Sequence, residues 1–177
     1  RPEIMCAAVA SANQLLSLVE RADVCVVGPG LGQGAWSRSL LSGVAGSDQP
    51  QVWDADALNL LAAGQVSAPR HGVLTPHPGE AARMLGIETA VLQTDRPAAA
   101  RALAQRFGLV VVLKGAGSLV AAPDGRLALC DRGHPAMAGA GLGDVLAGLI
   151  GALLAQGMAA YDAACLAVWL QDRKSVV

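Results

Sequence analysis

The sequence predicts an α/β layered sandwich with a mostly parallel central sheet, on three observations. Short apolar runs alternate with helix-period segments along most of the chain. One pair of alternating runs flanks Pro123-Asp124-Gly125, a turn signal that adds a single hairpin. Hydrophobic residues make up 53% of the 177 residues and aromatics 3%, which is enough for one core built from Ala, Val and Leu.

The elements follow in order. DVCVVG (23–28) reads as a buried strand entering the loop GPGLGQG (28–34), and WSRSLLSGVAG (36–46) as a helix with Trp36, Leu40, Leu41 and Val44 at helical spacing. PQVWDAD (50–56) is a strand ending in Asp54 and Asp56, and ALNLLAAG (57–64) a helix stopped by Gly64. HGVLTPHPGE (71–80) is strand, turn and helix start, with Pro78 suited to the first helical turn and AARMLG (81–86) completing the helix. DRPAAARALAQRFG (95–108) is an amphipathic helix, and LVVVLKG (109–115) a strand buried on both faces. SLVAAPDGRLALCD (118–131) is the hairpin, and helices over 138–157 and 159–171 close the chain. No internal repeat or interdomain linker interrupts them.

Composition excludes several functions. A formal net charge of -1, without a basic run, gives no case for nucleic acid. Cys6, Cys25, Cys130 and Cys165 are far apart and show no CxxC or zinc spacing, which favours reduced thiols in a cytoplasmic protein. The longest apolar run, VLAGLIGALLAQG, falls short of the roughly 20 residues a membrane span needs. The chain starts without Met, and DRKSVV (172–177) breaks the preceding helical pattern. We therefore expect a fragment whose domain covers 1–171, followed by a non-native tail.

Ligands in such a sheet sit beyond the carboxyl ends of the strands. Four segments belong there: GPGLGQG, DADALN (54–59), TPHPGE (75–80) and GAGLGD (139–144). In the last, Gly139, Gly141 and Gly143 leave the N–H groups of a helix start open to phosphate oxygens. Asp144, in the first turn beside that positive end, can take a proton from a hydroxyl attacking a phosphate; the alternative makes the glycines close-packing devices and Asp144 an N-cap only. GPGLGQG satisfies GxGxxG/A through Gly30, Gly32 and Ala35, with Asp54 about 20 residues further on, so a Rossmann dehydrogenase competes. Two prolines hold His77 at a strand end, either as a ligand contact or as a structural hydrogen-bonder, and Glu80 suits a helix cap. Lys114 ends an apolar strand where an unpaired ammonium is costly; a phosphate or carboxylate partner, or a surface-facing turn, would account for it. The Walker pattern is absent.

In this order and spacing, VVGPGLG, VWDADALNLL, LTPHPGEAARMLG, VVLKGAGSLVAAPDG and GHPAMAGAGLGDVLAGLIGALLAQG resemble the ADP/ATP-dependent NAD(P)H-hydrate dehydratases of the ribokinase-like superfamily. The resemblance implies a three-layer α/β/α sandwich, N-terminally truncated here, with ADP or ATP as co-substrate, Mg2+, and (S)-NADHX or NADPHX as substrate. The reaction implied is phosphorylation of the 6-hydroxyl followed by phosphate elimination. Gly30, Gly32, His77 and Asp144 match the family's hydrate contacts, with Asp144 also catalytic. Lys114, Gly115, Ala116, Gly117 and Ser118 match the nucleotide segment, joined by Gly139, Gly141 and Gly143. Asp54, Asp56 and Asn59 match DxDALN and are expected to organise magnesium-bound water or a catalytic loop; no metal ligand is assigned.

Departures from the family pattern are Leu142 for Thr or Met, and His134 and Ala136 where Asn and Gly are common. The resemblance also places the family's first strand and a glycine-rich substrate loop before Arg1, so low activity of the isolated fragment is expected. It implies a homo-oligomer, with tetramers common, and an NAD(P)HX epimerase either fused or separate. The competing readings are a small-molecule kinase of the same superfamily, the Rossmann dehydrogenase and a non-catalytic nucleotide-binding module.

Overall fold

A computed structural model describes residues 4–131 and 141–173. The helices are α1 (Ala12–Val19), α2 (Ala35–Ala45), α3 (Asp56–Ala62), α4 (Pro78–Leu85), α5 (Thr89–Thr94), α6 (Arg96–Phe107), α7 (Leu142–Ala155) and α8 (Ala160–Arg173). The strands are β1 (Cys25–Val27), β2 (Gln51–Trp53), β3 (Gly72–Leu74), β4 (Val110–Leu113), β5 (Leu119–Ala121) and β6 (Leu127–Leu129).

They form one sheet in the order β1-β2-β3-β4-β5-β6, parallel from β1 to β4 and antiparallel through the β5–β6 hairpin. Side-chain alternation divides the sheet between two cores. Trp53, Leu74, Val111, Leu113 and Leu119 pack with α2, α3, α4, α5 and α6. Val52, Val73, Val110, Val112 and Val120 pack with α7 and α8 on the opposite face. The result is the expected three-layer sandwich. Small residues bring the layers close: a Cβ on Gly151 of α7 would come within 2.5 Å of Val26 Cγ2 on β1.

Four expectations need correction. β1 is not buried; it is the sheet edge among the described residues, flanked on one side only by β2, and Val26 is 43% exposed. Trp36 sits on the outer face of α2 while Leu40, Leu41 and Val44 enter the core. The Rossmann reading finds no support, because among the described residues the strands add in sequence order, without the reversal that creates a dinucleotide crevice. Finally, α8 does not stop at 171. It runs through Arg173, and Asp172 is buried within the fold. Two helices lie outside the elements read from the sequence: α1, whose start is marked by Ser11 accepting the Gln14 N–H three residues on, and the six-residue α5.

Candidate active site

The carboxyl ends of β1 to β4 meet along one edge, and backbone bonds lock them in register there. Asp54 N–H donates to the Val27 carbonyl (3.1 Å), Thr75 N–H to Trp53 (3.0 Å) and Lys114 N–H to Pro76 (2.9 Å). This row brings GPGLGQG, DADALN, TPHPGE and LKGAGS side by side. The contact at Gly28 is extreme: its φ is +127°, and a Cβ there would lie 1.7 Å from the Asp54 carbonyl oxygen. Only glycine lets β1 turn into its loop against β2.

Lys114 has the carboxylate partner that its position called for. Its Nζ donates to Asp54 Oδ1 at 2.7 Å, with the Asp54 side chain 3% exposed and that of Lys114 20%. Asp54 Oδ1 also accepts the Ala55 N–H at 2.9 Å. Ala55 takes φ 49°, ψ -117°, a conformation unfavourable for a residue with a Cβ, so the chain stores strain just past this carboxylate.

The first turn of α7 lies on the ion pair. A Cβ on Gly143 would sit 3.1 Å from Asp54 Oδ2 and 3.3 Å from Lys114 Nζ. Gly141, at φ +84°, is the N-cap of this helix. Asp144 is therefore one residue from the pair, exposed, and free of hydrogen bonds and ion pairs among the described residues. The helix start supplies partial positive charge, and the ammonium lies beside it. Gly139, His134 and Ala136 lie outside the described residues.

His77 is both rigid and structural. It is the N-cap of α4, and its Nδ1 accepts from the Gly79 and Glu80 N–H groups at 3.0 and 3.4 Å. Glu80 returns the bond through Oε2, which accepts the His77 N–H at 2.8 Å, completing a capping box. With Nδ1 an acceptor, the neutral ring carries its proton on Nε2, which stands 3.5 Å from Glu80 Oε1. Burial pushes the Glu80 carboxyl above its ordinary value; the His77 backbone bond and the charge of Lys114 pull the other way without cancelling it.

A raised carboxyl pKa means that the folded state favours the protonated form. This contribution is full below the unfolded value and is lost as pH rises through the folded one. Glu80→Gln keeps an oxygen acceptor and removes the charge. Melting curves of the two proteins are expected to run together in acid and to separate as pH rises above about 4.5, with the wild type the less stable; parallel curves across the range would remove this account.

The DxDALN residues divide their work. Asp56 Oδ2 accepts the Gly32 N–H (2.8 Å) and Oδ1 a Gln33 side-chain N–H (3.1 Å), stapling the loop that holds Gly30 and Gly32 to the start of α3. Asn59 does not reach the Asp54–Lys114 pair; its Oδ1 accepts from Arg83 Nη2 at 2.8 Å. Ser118 Oγ donates to the Gly115 carbonyl at 3.3 Å, tightening the loop after β4.

Arg96, which the sequence did not single out, clamps that loop. Its guanidinium donates to the carbonyls of Ala116 (2.6 Å), Lys114 (3.3 Å) and Leu113 (3.4 Å). Three carbonyls are thereby turned inward. A second such residue is Gln171 of α8, whose Nε2 donates to the Leu142 carbonyl at 2.6 Å in the first turn of α7. Both act across 17 to 29 residues of sequence, so no local pattern could mark them. With residues 114–118 expected from the resemblance to hold the nucleotide, Arg96→Met is expected to weaken ADP binding about 10- to 100-fold, the loss of a charged hydrogen-bonding group. Calorimetric titration of ADP reads it, and unchanged affinity would reduce Arg96 to a helix-start residue.

Residues 1–176 match the NAD(P)H-hydrate dehydratase family. The chain belongs to that family. Among its relatives is the bifunctional NAD(P)H-hydrate repair enzyme Nnr of Escherichia coli, 51% identical over 166 residues that cover 93% of this chain and 32% of that protein. A solved dehydratase from Bacillus subtilis, described as ADP/ATP-dependent and co-crystallised with ATP and Mg2+, superposes with a TM-score of 0.76. It is 34% identical and covers 85% of this chain and 54% of its own. A ribokinase-like superfamily protein from Enterococcus faecalis superposes at 0.79 with 30% identity, over 91% of this chain and 57% of that one. The chain thus has the ribokinase-like fold and spans about a third of the bifunctional relative. At the carboxyl edge of the sheet the first turn of α7 packs on the Asp54–Lys114 pair.

Proposed function

We propose that this chain supplies the nucleotide-dependent dehydration of (S)-NADHX and (S)-NADPHX, restoring NADH and NADPH. The observation that carries the reading is the Asp144 carboxylate, without a partner among the described residues, in the first turn of α7, where Gly143 packs on an ion pair that joins DADALN to LKGAGS. The fold and family membership support it.

The chemistry follows from leaving-group ability. Hydroxide leaves carbon poorly, whereas phosphate leaves well. Asp144 takes the proton of the 6-hydroxyl as its oxygen bonds to the terminal phosphorus of ADP or ATP, and the bond from that phosphorus to the rest of the nucleotide breaks. The α7 amides, through Gly141 and Gly143, and the Lys114 ammonium face the charge on the transferred group. The ring nitrogen's electron pair then expels phosphate, and loss of a proton from the adjacent ring carbon re-forms the double bond. Gly30, Gly32 and His77 hold the hydrated ring, while residues 114–118 hold the nucleotide.

Among the described residues no group of three His, Cys, Asp or Glu could cage a metal. Magnesium in this reading belongs to the nucleotide phosphates and their water, as is usual for this hard, reluctantly dehydrated ion. Its charge would offset that of the phosphates. A cytoplasmic homo-oligomer, tetrameric and paired with a fused or separate epimerase, completes the proposal. The bifunctional name of the E. coli relative supports the epimerase partner. Among the described residues no helix is long and apolar enough to cross a membrane.

The test follows the reduced-ring absorbance of the full-length protein mixed with NADHX. Recovery only with ADP or ATP is expected. Equal recovery without nucleotide overturns the proposal, and a stable phosphorylated product would replace it with a small-molecule kinase.

A further inference from the structure

Beside the glycine loop lies a cleft of about 610 Å³, lined by Gln33, Asn59, Ala62, Ala63 and Arg83. None of these residues has a role in the transfer chemistry above. Of its lining side chains, Asn59 Oδ1 is taken by Arg83 and Gln33 Nε2 by Asp56 Oδ1, which leaves Gln33 Oε1 as an acceptor beside the N–H groups of Arg83 and Asn59. Arg83, exposed in the last turn of α4, spends one N–H on Asn59 and pairs with no carboxylate among the described residues, and the Asn59 amide N–H groups remain.

The cleft is continuous with the substrate side of the site. A Cβ on Gly79 would lie 2.9 Å from His77 Cε1 and 3.7 Å from Arg83 Nη1, so imidazole and guanidinium flank one point. On the other wall, Asp56 ties Gln33 and Gly32 together, and Gly32 is in the proposed ring-binding loop. A planar, permanently charged fork held by an amide and facing a donor-rich cavity suits a phosphate.

Resting on the function proposed above, we propose that this cleft binds a phosphate group of the hydrated dinucleotide, with Arg83 as its cation and Asn59 fixing the guanidinium plane. The ring stays at His77 and Asp144 while the anionic part runs over α3 and α4. Two phosphates could occupy the cleft, the pyrophosphate common to both substrates or the 2′-phosphate of NADPHX.

The experiment uses the full-length protein and its Arg83→Gln and Arg83→Lys variants, with the nucleotide site saturated by ADP. Calorimetry measures ADP-ribose and 2′-phospho-ADP-ribose, which carry the phosphates without a hydrated ring; kinetics measure KM for NADHX, NADPHX and ADP. Arg83→Gln is expected to weaken the phosphate ligands and raise the hydrate KM about 10- to 100-fold, with kcat and the KM for ADP unchanged and partial recovery in Arg83→Lys. A loss for both dinucleotides assigns the pyrophosphate, and a loss confined to the 2′-phosphorylated ligands assigns that group. Unchanged affinity for all of them overturns the inference. If the wild-type protein binds ADP-ribose through Arg83 yet fails to dehydrate NADHX, the cleft stands and the functional reading falls.

Discussion

Asp144→Asn in the full-length protein is expected to lower the dehydration rate about 100- to 10,000-fold, the range for a lost general base. The substitution changes little else. Asp144 is exposed, and no bond among the described residues depends on its carboxylate. Its favourable interaction with the helix start is worth at most about 1 kcal/mol at such a surface site. Melting temperature and ADP affinity therefore stay close to wild type while turnover collapses. The measurement is the rate of reduced-ring recovery at saturating ADP and NADHX, beside a titration of ADP. An undiminished rate would remove Asp144 from the chemistry. A matching loss of ADP affinity would make it a nucleotide ligand rather than a base.

This prediction was open to the sequence because its residues are local. GAGLGD joins a glycine loop to an apolar helix within six letters, and α7 begins at Leu142 as that pattern requires. The parallel strands were legible for the same reason: β4 is buried at all four positions, as its unbroken Val and Leu run indicates. The hairpin was legible from Pro123-Asp124-Gly125. CVV has the apolar character of a central strand, and β1 stands at the sheet edge among the described residues only. α5 spans fewer than two turns, anchored by Leu92, and is too brief for a periodicity to develop. The polar DRK run reads as lying past the last helix, yet α8 reaches Arg173 and Asp172 is buried.

The site shows the same division. DADALN and TPHPGE mark themselves by composition, yet who bonds to whom is tertiary. Asp54 finds Lys114 across 60 residues, and Asn59 finds Arg83 across 24. His77 was legible as a rigid histidine between prolines. That its Nδ1 caps α4, leaving Nε2 beside a buried Glu80, depends on backbone angles that no letter pattern states.

Lys114→Met is expected to lower stability by about 3–5 kcal/mol, since it leaves the Asp54 carboxylate buried without its cation. For a domain of this size each kcal/mol moves Tm by about 2–4 °C, so the melting temperature falls by roughly 6–20 °C. Adding Asp54→Asn removes the stranded charge while keeping an oxygen for the Ala55 N–H, and the double variant should recover most of the loss. Activity then separates two roles. If the ion pair only holds DADALN against LKGAGS, the double variant regains turnover along with stability. If the ammonium also faces the transferred phosphoryl group from beneath Gly143, stability returns and turnover does not, which is the expected result. A Lys114→Met protein that melts with the wild type would show that Asp54 is solvated enough to stand alone, and the packing of α7 onto this pair would lose its electrostatic rationale.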